Sequence, residues 1–171
     1  MNSRRFDKPR VFVVYGDELS LSGQALLKLM RDVLAKGLPF RFRARGLSMA
    51  PFVRDGDVIT ISPTRRSLPG VGRVVAFVST ETGKLVVHRV VARRGTAVFI
   101  RGDCVPEHAD GIIPPENLLG QVTRIERNGR KIRLGVGPER YVIAGLSRTR
   151  LLIPLGSHFA SLLKPVLRKR K

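Results

Sequence analysis

The sequence predicts a mainly β protein: coiled antiparallel sheets forming a partly open barrel, with an N-terminal helix before them and a basic amphipathic helical tail after them. Three observations point there. From residue 40 the apolar period becomes two, short apolar runs recur to residue 134 with no helical stretch between them, and Gly, Pro and Asp punctuate every gap. The expected organisation is a strand and helix over 1–39, a β-rich domain over 40–137 and the tail over 138–171.

The elements follow in order. Val11-Phe12-Val13-Val14 is a short strand candidate. A helix follows, capped by Ser20 or Ser22, with Leu26, Leu29, Met30, Val33 and Leu34 on one face and Gly37 and Pro39 at its end. Phe40-Arg41-Phe42-Arg43-Ala44-Arg45 alternates strictly, so its rings should face inward and its guanidiniums outward. Further strands are expected at Val58 to Ser62, Val74 to Val78, Leu85 to Val91, Ala97 to Ile100 and Gln121 to Ile125. Ile132-Arg133-Leu134 should return across an Asn128-Gly129 hairpin. From Tyr141 onward Leu151, Leu152, Ile153, Leu155, Phe159, Leu162 and Leu163 mix with positive charges, and Pro154 and Pro165 restrict the segment to short helical pieces.

With 171 residues the chain buries a core without staples, and Cys104, its only cysteine, excludes an intrachain disulfide and a four-cysteine zinc site. No apolar run reaches the roughly 20 residues that span a bilayer, and no signal peptide is expected from the basic N-terminus. Lys and Arg total 32 against 13 Asp and Glu, a formal charge of +19. That imbalance suits anionic lipid headgroups or nucleic acid. With two tyrosines and no tryptophan to stack on bases, nucleic acid is the weaker of the two. The expected location is the cytoplasm, including the inner face of the membrane.

Three polar groups in order carry the chemistry. Ser48 lies in Gly46-Leu47-Ser48-Met49-Ala50-Pro51, where Gly46 permits an unusual turn and Pro51 fixes the exit. A serine hydroxyl needs a neighbouring base and amide donors for its oxyanion. His88 alternates with Val86 and Val90 on one strand face, so it looks onto a core or a cleft floor. Asp103 and Asp110 are both candidates to orient the imidazole. His108, beside Asp110, is a rival base, and Asp55 and Asp57 read as turn formers. Cys104 lacks the companions of a nucleophile. With no phosphate-cradling glycine loop and no clustered metal ligands, neither metal nor cofactor is expected.

In this order the residues resemble the signal peptidase I and LexA-type superfamily of serine peptidases. The likeness spans Phe40 to Val122, adding Gly56-Asp57, Val74-Val75-Ala76-Phe77, Val87-His88-Arg89-Val90-Val91, Gly102-Asp103 and Leu119-Gly120-Gln121-Val122 to the serine motif. It implies Ser48 as nucleophile and His88 as general base, the base type of the archaeal and endoplasmic-reticulum branch. It favours Asp110 as the orienting acid, with Asp103 in a supporting role, and a β-rich domain that takes an extended peptide as an added strand. Arg73 stands where that family usually carries Asp after Gly. On this reading neither the family's N-terminal membrane anchor nor a repressor's DNA-binding helices are expected. The expected function is a serine endopeptidase cleaving a peptide or precursor protein through an acyl-enzyme. The alternative is an inactive peptidase-like module that holds peptide or an anionic membrane surface.

Overall fold

A computed structural model of the chain describes residues 23–64, 68–104, 111–133 and 135–148. The expected strand at Val11 to Val14, the caps Ser20 and Ser22, and the tail from Leu151 to Lys171 lie outside the described residues. Helix α1, Gly23–Ala35, precedes strands β1 Phe40–Arg43, β2 Val58–Ser62, β3 Val74–Val78, β4 Leu85–Arg94, β5 Ala97–Arg101, β6 Gly111–Ile113, β7 Leu118–Arg127 and β8 Arg130–Ile132. Helix α2, Arg140–Arg148, closes the described chain.

All eight strands pair antiparallel in one sheet, in the order β1-β2-β7-β3-β4-β5-β6, with β8 on β7. Among the described residues no pairing joins β1 to β6, so the sheet is open rather than closed into a barrel. Strand β7 is the seam. It pairs β2 along residues 121–126 on one side, and on the other first β3 and then β8. The β7–β8 turn has φ of 50° at Asn128 and 74° at Gly129, the positive pair that a tight primed hairpin turn demands. Register shifts at Thr60/Ile61, Ala76/Phe77 and Val90/Ala92 add local twist where strands must bend around the core.

The core divides around β3, which is buried on both faces. Val74 and Ala76 join Ile59, Ile61, Val122 and the α1 side chains Met30 and Leu34. Val75 and Phe77 face the other way, among Val90, Val98, Ile100 and Ile113. Full burial of side chains such as Met30 and Leu34 contributes roughly 1.5–3 kcal/mol each. Leu29, expected on the packing face of α1, is instead exposed. The helix stops at Gly37, where φ is 75° and its N–H donates to Leu34 O at 2.9 Å, a left-handed cap that glycine adopts without strain.

Helix α2 docks through Ile143 and Leu146 on Phe52, the residue after Pro51. Its first turn approaches Gly72 so closely that a Cβ there would lie 2.8 Å from the Arg140 backbone oxygen. Among the described residues no helix is long and apolar enough to cross a membrane.

Candidate active site

The Ser48 turn is held at both ends. Gly46, with φ of 99°, takes a conformation that side chains resist, and its N–H donates to Asp55 Oδ1 at 2.8 Å. Beyond Ser48 the N–H groups of Phe52 and Val53 both donate to Met49 O, at 3.1 and 3.0 Å, and the Ala50–Pro51 bond is cis. Met49 and Val53 sink into the core shared with α1, while Ser48 is half-buried. Asp57 secures the exit: it accepts Arg54 N–H at 2.8 Å and two bonds from Arg127, at 2.8 and 2.7 Å. Arg127 also donates to Phe52 O at 3.2 Å. The two carboxylates read as turn formers thus brace the candidate nucleophile.

His88 sits on β4 directly across from Val75. It is 4% exposed, and its ring centroid lies 6.0 Å from that of Phe77, with the planes tilted by 59°. Val86 and Val90 share its face, as the alternation predicts.

The next residue, Arg89, points to the opposite face and is fully buried. It grips Asp103 through Nε at 2.9 Å and Nη2 at 2.7 Å, and its Nη1 donates to Gly72 O and Gly135 O at 2.9 and 2.8 Å. Its guanidinium lies 5.4 Å from the Phe52 ring centroid. Ser147 on α2 adds a 2.6 Å bond to Asp103 Oδ1. Both oxygens of Asp103 are therefore engaged. Its neighbour Cys104 donates its N–H to Ser48 O at 2.9 Å.

One loop therefore links the Ser48 turn to β4, through the face of the strand that carries Arg89 and not the one that carries His88. Asp103 ties it to the residue after His88, and Cys104 ties it to Ser48 itself. Asp110 and His108 lie outside the described residues. Arg89, Ser147 and Arg127 were not singled out in the sequence. For Arg89 a signal existed, since alternation places it on one face with Val87 and Val91, and a charge among valines needs a partner.

The Cys104 thiol is pushed above its ordinary range by burial and then by the negative charge of Asp103. The thiolate is the reactive form, so iodoacetamide should modify the folded protein more slowly than the denatured chain at pH 8. The folded rate should climb only at higher pH than that of an ordinary thiol. Alkylation followed by mass spectrometry checks this, and equal folded and denatured rates would contradict it.

No protein-family model matches the chain, and no curated protein does either.

Proposed function

We propose that the protein is a serine endopeptidase in which Ser48 attacks a peptide carbonyl, His88 takes the Ser48 proton and Asp110 orients the imidazole. Arg89–Asp103 and Cys104–Ser48 are the contacts that carry the reading, because they bring the His88 strand and the Ser48 turn against one loop. That loop runs on in sequence to Asp110. Attack forms the Oγ–carbon bond, the carbon–nitrogen bond breaks, and His88 returns the proton to the departing amine. Water then hydrolyses the acyl-enzyme with His88 again as base. Backbone N–H groups at Ser48 and Met49 are the candidate oxyanion donors, since those of Phe52 and Val53 already serve the turn. The open coiled sheet is read as a signal-peptidase or LexA-type scaffold, placed in the cytoplasm or at the inner membrane face, with peptide or precursor protein as substrate.

A fluorophosphonate probe tests this. Peptide mapping should find the adduct on Ser48, and Ser48→Ala should carry none. Labelling that persists in Ser48→Ala removes the site.

One observation favours the second reading, a module that holds an anionic membrane surface. On the outer face of β1, β2, β7 and β8, Arg41, Arg43, Arg124 and Lys131 surround a single acid, Glu126, which Arg41 and Arg124 clasp. Each such cation contributes about 1 kcal/mol near an anionic bilayer. On that reading Ser48→Ala keeps full binding to anionic vesicles and the wild type shows no labelling.

A further inference from the structure

A cleft of about 480 Å³ opens between β2, β3 and β7, with Ser62, Thr64, Leu68, Arg73 and Gln121 among its lining residues. That volume lies in the range of ligand sites. Its position relative to His88 follows from strand register. Ser62 pairs with Gln121, Gln121 with Val75, and Val75 with His88, so these four residues form one row across adjacent strands and project from the same face. Neighbouring strands lie about 4.8 Å apart, which places Gln121 about 10 Å from His88 along the row. Leu68, which lines the cleft, packs against the cluster of Val75 and Phe77, with its carbonyl held by Arg93 at 3.1 Å.

The chemistry of the lining is one-sided. Among the described residues that line the cleft, Arg73 carries the one charge and no carboxylate opposes it. Its backbone is fixed, with the N–H on Gly70 O at 3.2 Å and the carbonyl accepting Val90 N–H at 2.8 Å. The Arg73 side chain therefore starts from a fixed point in a cleft that Gln121 and Thr64, both able to donate, also line. A planar fork flanked by neutral donors matches a carboxylate. The chain's +19 charge adds long-range attraction for any anionic peptide.

We propose that this cleft recognises the carboxylate of an acidic residue in the peptide on which Ser48 acts, with Arg73 as its anion-binding group. The proposal rests on the peptidase reading for the identity of the ligand. It assigns a selectivity to this chain: an acidic side chain in the bound peptide.

Binding to the full-length Ser48→Ala chain, which cannot turn substrate over, tests it directly. The probes are fluorescein-labelled alanine-based octapeptides carrying one glutamate, glutamine or lysine, followed by anisotropy at about 150 mM salt to screen the general surface charge. The glutamate peptide should bind about tenfold or more tightly than its glutamine twin. Arg73→Gln should abolish that preference, Arg73→Lys should restore part of it, and Arg73→Glu should shift it to the lysine peptide. Arg94→Gln, which removes an equal charge from an exposed site on β4, should leave the preference in place. Equal affinity for the glutamate and glutamine peptides, or a preference lost equally in Arg94→Gln, overturns the proposal. So does binding of inorganic phosphate alone with neither peptide retained. The two readings fail separately. An Arg73-dependent preference without any Ser48 labelling in the wild type removes the peptidase and keeps the cleft; labelling without the preference removes only the cleft.

Discussion

Replacing His88 with alanine is expected to slow acylation of Ser48 by a fluorophosphonate about 10²–10⁴-fold, the usual contribution of a positioned general base. The expectation follows from what an isolated serine lacks. Its hydroxyl holds its proton near neutrality, so attack needs an acceptor for that proton at the moment the new bond forms. His88 sits on a strand, 4% exposed, paired across from Val75 with its ring 6.0 Å from that of Phe77. Two further readouts separate chemistry from packing. Labelling of the wild type should fall as acid protonates the base, and the variant should lose that limb of the pH profile. Added imidazole should partly restore labelling in His88→Ala, because a free base then enters the space left behind. A His88→Ala rate within twofold of wild type, with Ser48→Ala unlabelled, would transfer the role to another base, His108 first.

Most of the fold was legible because local pattern and final pairing agree. The alternation at Phe40–Arg43, the apolar run of β3 and the Asn128-Gly129 turn all declare themselves within a few residues. What escaped was set by distant partners. Strand β6 has three residues, begins with glycine and is followed by prolines; only its pairing with β5 makes it a strand. Strand β4 runs on through Arg93 and Arg94 because Val98 and Ala97 supply its partners there. Leu29 fits the helical apolar stripe, yet the sheet covers only the part of that stripe that carries Met30 and Leu34.

The site divides along the same line. Ser48 and His88 stand out because a glycine-flanked serine and a histidine between valines are unusual in themselves. Arg89 and Asp103 acquire meaning only together, 14 residues apart, and Ser147 is 44 residues beyond Asp103. Sequence assigns Asp103 a supporting role by resemblance alone. The structure shows a carboxylate engaged by an arginine and a serine, in a loop whose next residue donates to the Ser48 carbonyl.

Breaking that ion pair should be the most damaging single change to stability. Arg89→Met is expected to cost about 3–5 kcal/mol, because it leaves Asp103 charged, buried and without its main donor. Asp103→Leu should cost a similar amount for the mirror reason: Arg89 keeps its bonds to Gly72 and Gly135 but loses the charge that balances it. The double variant Arg89→Met/Asp103→Leu should lose much less than the sum of the two, since it leaves neither charge stranded. Urea denaturation of the four proteins measures all of this in one cycle. Adding Asp103→Asn to the same set also decides what Asp103 does. As a brace, its loss lowers stability and slows Ser48 labelling through a displaced loop, while the pH limb owed to His88 stays where it was. If Asp103→Asn instead kept wild-type stability and abolished labelling, the carboxylate would be serving the imidazole rather than the arginine, and the assignment of Asp110 would fall with it.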